Sequence, residues 1–200
     1  MTEKMKPSVS FSGRKQKGSA FELWACREFT KWITGVPKPE LFWRSTGSGA
    51  KFTVDRKKGL PNKGHGDIMA VDSMGEFLTD FFFFELKSYQ DLSIEDFFWE
   101  KGTLYRFWAD CVEKARSVPK EPALIFKRNL RKPLMVLSFS GWRFISDWAG
   151  PIKPVLVVHM ATELGDDDST VFIVGFDEFL ASCNSESLQQ AIAVRKGVSC

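Results

Sequence analysis

Histidine is nearly absent from this chain: His65 and His159 are the only two in 200 residues. A histidine-rich metal site is thereby excluded, and a triad built around a histidine base has little to draw on. Cysteine is scarce and scattered, at Cys26, Cys111, Cys183 and Cys200, with no CxxC pair for zinc or redox chemistry. Such isolated thiols read as reduced, the expectation for a cytoplasmic protein. No apolar run is long enough to cross a bilayer, and the polar opening MTEKMKPSVS is unlike a secretory leader. A dominant charge is lacking too. Twenty-eight basic residues against 25 acidic ones leave a net of +3, so any electrostatic partner must be read from local clusters. What the chain has in excess is aromatic, 14% of all residues, 19 of them phenylalanine. With this length it can bury a real core within one domain.

Residues 1–18 are polar and basic and are expected to form a flexible arm. From Ser19 to Ile33 the apolar positions Phe21, Trp24, Ala25, Phe29, Trp32 and Ile33 recur at helical spacing, and GVPKP then ends the helix. LFWRS (41–45) reads as a short strand. The stretch up to Gly66 is rich in glycine and lysine and has no period, so it reads as a long loop. DIMAV (67–71) reads as a strand, DSMGE as a turn, and FFFFELKS (81–88) as the returning strand. Helical spacing covers 94–118, with Gly102 a candidate break. Strands are expected at 122–126, 133–139, 154–160 and 171–174, and a short helix from Asp177. The class is therefore α/β, with a single central mixed β-sheet flanked by helices. A core domain is expected over 19–160, and 161–200 as a C-terminal extension packed on or trailing from it.

The stretch TDFFFFELKS places four phenylalanines directly before a glutamate and a lysine. In a strand, side chains alternate, so Phe81, Phe83, Glu85 and Lys87 share one face while Phe82, Phe84 and Leu86 share the other. A central strand covered on both faces accounts for the unbroken run. If the Asp67 strand pairs with it as a hairpin, Asp67 comes close to Glu85. Two carboxylates held together repel unless a cation lies between them, and hard oxygen ligands suit Mg²⁺ or Mn²⁺. A neighbouring lysine could then orient a water or stabilise developing negative charge. The bare Asp/Glu-x-Lys pattern is cheap, and Asp55-Arg56-Lys57 is a second copy with no strand leading into it. From these residues alone, a metal site and a solvated strand end both stay open.

The order Asp67 … Glu85-Leu86-Lys87 resembles the signature of the PD-(D/E)xK nuclease superfamily. Lys17-Gly18-Ser19-Ala20-Phe21-Glu22 and Arg44-Ser45-Thr46-Gly47-Ser48-Gly49 further resemble the KGSxxE and RSxGSG segments of archaeal-type Holliday junction resolvases. The resemblance spans roughly residues 14 to 144, with Gly141-Trp142-Arg143-Phe144 as a late echo. It implies a restriction-endonuclease-like core and a Mg²⁺- or Mn²⁺-dependent endodeoxyribonuclease. On it, Asp67, Glu85 and Glu22 hold the metal, Lys87 positions the attacking water, and the active-site serine is Ser45 or Ser48. It also implies a homodimer acting on four-way DNA junctions, in a bacterial, archaeal or phage-infected host cell. The chain departs from the pattern in its long basic loop before GDI (66–68) and in its longer spacing from Asp67 to Glu85.

Other readings stand beside these. Ser19-x-x-Glu22 is also a capping box, and Gly47-Ser48-Gly49 could be a plain turn or a phosphate-holding bend. Arg14, Lys15 and Lys17, with Arg44, Lys51, Arg56, Lys57, Lys58 and Lys63, could be solvated charge. Beside a nuclease site they fit contacts to the DNA backbone. A repair or restriction-like nuclease of the same fold, or a non-catalytic DNA-binding module, would share these features.

Overall fold

The computed structural model describes residues 11–45, 66–161 and 169–197, with 11–17 described by backbone alone. Helix α1 (Phe11–Thr34) begins eight residues ahead of the expected start at Ser19. Ser19 is therefore inside the helix and cannot cap it. Phe21, Ala25, Cys26, Phe29 and Thr30 form its buried stripe. Gly35 ends it, at φ +76° with its amide on the Lys31 carbonyl at 2.8 Å, a left-handed cap that precedes the prolines.

Strands β1 (Phe42–Arg44) and β2 (Ile68–Ala70) form a small antiparallel ribbon, with Phe42 opposite Ala70 and Arg44 opposite Ile68. The expected hairpin from β2 into the phenylalanine run does not form. Helix α2 (Ser73–Phe81) intervenes, because the Asp72 carboxylate caps it by accepting from the Met74 amide at 2.9 Å. Gly75, Leu78 and Phe81 then recur at helical spacing and are buried. The four phenylalanines are thus divided. Phe81 ends α2, and Phe82 to Phe84 open β3 (Phe82–Tyr89), so Phe81 does not share a strand face with Glu85.

After β3 come a 3₁₀ turn (Ile94–Phe97), α3 (Thr103–Arg116), β4 (Glu121–Arg128) and β5 (Leu134–Ser138). Gly102, at φ +101°, separates the turn from α3, as its position suggested. Helix α4 (Phe139–Trp148), absent from the sequence reading, is capped by the Ser138 hydroxyl. Strands β6 (Leu156–His159) and β7 (Thr170–Gly175) and helices α5 (Phe176–Ser182) and α6 (Ser185–Arg195) follow. The main sheet has the order β3-β4-β5-β7-β6, with β3 and β4 parallel and the other pairs antiparallel. It is the expected mixed sheet flanked by helices.

Two expectations change in this frame. Strand β3 is an edge strand of the main sheet, not a central one. It is nevertheless covered on both faces, and this is what its apolar run records. Phe82, Phe84 and Leu86 join the core under α1, where the Phe29 ring lies 5.1 Å from that of Phe84. Phe83 packs the other way, with Cys111 and Ala115 of α3. The second change concerns 161–200, which supplies β7 inside the sheet between β5 and β6. Helix α6 also reaches back: Arg195 pairs with Glu121 at 3.3 Å and lies over the rings of Phe81 and Phe144. Among the described residues no helix is long and apolar enough to cross a membrane.

Phe84 is fully buried and touches the aromatic cluster that holds α1 on β3. Phe84→Ala should cost about 3–5 kcal/mol, read as a lowered urea midpoint. A loss under about 1 kcal/mol would mean that α1 is anchored elsewhere.

Candidate active site

Strand alternation brings Glu85 and Lys87 to one side of β3, the side that faces α3. Glu85 is buried, with 6% of its surface exposed, and Lys87 keeps a minor exposed fraction. Lys87 Nζ donates to Glu85 Oε1 and lies 3.9 Å from Asp67 Oδ2, so one ammonium faces two carboxylates. Its stem runs beside the Phe107 ring, with Nζ 5.3 Å from the centroid.

Asp67 arrives without a hairpin. Its amide donates to the Phe84 carbonyl at 2.7 Å, and its Oδ2 accepts from the Leu86 amide at 2.7 Å. The segment entering β2 is therefore bonded along the outer edge of β3. Gly66 permits this approach, because a Cβ there would lie 2.0 Å from the Phe84 oxygen. Asp67 is 5% exposed, and its carbonyl accepts from the Ser45 amide at 2.9 Å. Asp67 and Glu85 are two of the five buried polar or charged residues among those described, and the structure puts them around the same lysine.

Glu22 comes from α1 and meets Arg44 of β1 at 3.6 Å, while Arg44 Nη1 donates to Ser19 Oγ at 2.8 Å. Burial raises the Glu22 carboxyl above its ordinary value, the Asp67 charge adds to this, and Arg44 partly offsets it. Glu22 thus feels Asp67 electrostatically. Among the described residues, however, no three His, Cys, Asp or Glu side chains are gathered closely enough to hold a metal ion. Glu22 is accordingly not gathered with Asp67 and Glu85 into such a group, and it pairs with Arg44. Burial acts first on Lys87, pulling its pKa down, but Glu85 and Asp67 more than reverse this and the net shift is upward. Cys111, fully buried against Phe83, has its thiol pushed well above its ordinary value by burial and by the Glu85 carboxylate.

Of the two candidate serines, Ser45 sits beside Asp67, and its Oγ is buried with no hydrogen-bond partner among the described residues. Ser48, Lys51, Arg56, Lys57, Lys58 and Lys63 lie outside the described residues. Arg14, Lys15 and Lys17 fall in the first turns of α1, where the backbone alone is described. Sequence reasoning missed one member: Lys114 of α3 contacts Glu85 Oε2 at 3.2 Å. No local signal marked it, because its place one residue before Ala115, on the edge of the apolar stripe of α3, is an ordinary one for a solvated lysine.

A family model described as "phage putative PDDEXK endonuclease" matches residues 13–190. The chain belongs to this PD-(D/E)xK endonuclease family. The matched range includes β7 and most of α6, in keeping with a sheet that takes a strand from the C-terminal segment. No curated protein and no solved structure matches the chain significantly. PD-(D/E)xK nucleases typically use divalent metals. Asp67 and Glu85 fit such an ion by chemistry: Mg²⁺ is commonly held by one or two carboxylates, with water and substrate oxygens completing its shell.

Two outcomes follow. Gly66→Ala should cost roughly 1–3 kcal/mol in stability, because the Asp67 amide must leave the Phe84 carbonyl. An unchanged unfolding midpoint would contradict that bond. For Lys87 the sign is set by its raised pKa. Its ion-pair contribution is fully present below the ordinary lysine value of 10.5 and is lost as pH climbs through the elevated folded value. The stability difference between wild type and Lys87→Met should therefore stay flat from about pH 6 to about pH 9 and shrink in stronger alkali. A difference that vanishes near neutrality would show that Lys87 is not held by the two acids.

Proposed function

We propose that the chain is a metal-dependent DNA endonuclease hydrolysing phosphodiester bonds, acting most readily on branched DNA such as four-way junctions. The observation that carries the reading is the pair of buried carboxylates, Asp67 and Glu85, aimed at one lysine from a strand edge. A pure binding module gains nothing from burying repelling acids beside a phosphate. Asp67 and Glu85 are the residues that would hold Mg²⁺ or Mn²⁺. Bound there, such an ion would polarise the scissile phosphate and make a bound water more acidic.

The chain's own residues supply the rest. The Leu86 amide fixes one oxygen of Asp67, so that carboxylate is oriented before any ligand arrives. Lys87, protonated at neutral pH, orients the attacking water and offsets the negative charge that develops on the phosphate. Glu22 contributes negative charge from the rim through its effect on Asp67 and keeps Arg44 turned toward the site. Ser45, whose hydroxyl next to Asp67 has no partner among the described residues, is the better of the two serine candidates for a substrate oxygen. Arg14, Lys15, Lys17, Arg44, Lys51, Arg56, Lys57, Lys58 and Lys63 would contact the phosphate backbone without reading sequence. The preference for junctions and a two-fold dimer rest on the KGSAFE and RSTGSG segments alone.

The test compares a four-way junction, a flap and a linear duplex in Mg²⁺, with Glu85→Ala and Lys87→Met beside wild type. Junction-selective cutting that both substitutions lower by about 10²-fold or more supports the reading. Cutting confined to the linear duplex would favour a restriction-like or repair nuclease of the same fold. Binding without cleavage in any metal would make the chain a DNA-binding module.

A further inference from the structure

The single lysine of the ELK motif is not the only ammonium on Glu85. Lys87 takes Oε1 from the same strand, and Lys114 takes Oε2 from α3 at 3.2 Å. Nothing in the packing of α3 calls for that second contact. Trp108, Cys111, Val112 and Ala115 are all fully buried and already fix the helix on the sheet. An ion pair with a partly exposed lysine adds little to such an anchor. Yet Lys114 is turned to the site, and 21% of its side chain remains exposed, so its head can leave Glu85 without unpacking the helix.

Charge gives this contact a consequence. Among the described inner side chains, the carboxylates of Asp67 and Glu85 face the ammoniums of Lys87 and Lys114, two charges of each sign. A site with one lysine would instead keep one negative charge to attract a cation. Here a divalent ion held by the carboxylates would compete with two ammoniums, one of them Lys114 on Glu85 Oε2. A lysine freed from Glu85 would stay beside that carboxylate, where its ammonium could pair with a phosphate oxygen of DNA.

We propose that Lys114 is a second phosphate-binding lysine of the site, held on Glu85 until a divalent cation takes that carboxylate. The inference rests on the metal reading above. It makes cation and DNA binding mutually reinforcing: the cation frees Lys114 for the phosphate, and the phosphate offsets the ammonium that opposes the cation.

The experiment titrates Mn²⁺ calorimetrically into the DNA-free protein as wild type, Lys114→Met, Lys114→Arg and Glu85→Gln. It also measures DNA affinity in Ca²⁺ over a salt series. Lys114→Met should bind Mn²⁺ about tenfold more tightly than wild type, because one repelling charge is gone, while Lys114→Arg stays near wild type. Lys114→Met should also bind DNA more weakly in Ca²⁺, with the slope of log affinity against log salt reduced by about one. Circular dichroism checks folding, and Lys114→Gln replaces Lys114→Met if the latter is unfolded. An unchanged or weaker Mn²⁺ affinity in Lys114→Met, or an unchanged salt slope, overturns the proposal while wild type still binds Mn²⁺ through Glu85. Wild type that binds no Mn²⁺, or binds it equally well as Glu85→Gln, overturns the metal reading and this inference with it.

Discussion

The hydrogen bond from the Leu86 amide to Asp67 Oδ2, at 2.7 Å, joins the two halves of the candidate site. Leu86 belongs to β3 of the main sheet, while Asp67 leads into β2 of the small ribbon. That bond and its companion from the Asp67 amide to Phe84 set the register between the two carboxylates, which arrive from separate sheets packed under α1. The same pair of bonds covers part of an exposed strand edge, which would otherwise invite pairing with another chain. Gly66 is needed because the backbones touch, and a side chain would part them. Position, edge protection and glycine are thus one constraint with three expressions.

Electrostatics sets the second constraint. Asp67 and Glu85 are each under a tenth exposed, and buried carboxylates around one lysine need compensation. The protein supplies it with lysines whose stems lie along apolar surface and whose heads reach the acids. Around Lys87, burial and carboxylates pull in opposite directions, and the carboxylates prevail. Around Glu22, burial prevails over Arg44. The result is a site whose inner acids are neutralised by ammoniums and whose outer acid is engaged by a guanidinium. A divalent cation and a phosphate together could replace those internal partners.

Much of this was legible in the residues, for identifiable reasons. Strand alternation put Glu85 and Lys87 on one side because period two is rigid, and the helical stripe of α3 declared itself through Leu104, Trp108, Cys111, Val112 and Ala115. The phenylalanine run correctly announced burial on both faces. It could not announce a central strand, because α1 and α3 can cover an edge strand equally well. Helix α2 was hidden because Asp72, Ser73 and Gly75 are turn formers as well as helix starters, and only the tertiary burial of Leu78 and Phe81 decides between them. The capping-box reading of Ser19 failed because the helix had already begun, and its hydroxyl serves Arg44 instead. Lys114 was invisible because a lysine flanking an apolar stripe usually points to water. Its target lies 29 residues away on another element, a relation that no local pattern records.

The most direct test of the central claim is a crystal structure of the protein grown with Mn²⁺, located by its anomalous scattering. The account predicts a peak between Asp67 and Glu85, with Lys87 and Lys114 drawn off the oxygens they hold in the free protein. A well-ordered site with no peak there, or a peak bound elsewhere while both lysines stay on Glu85, would contradict it.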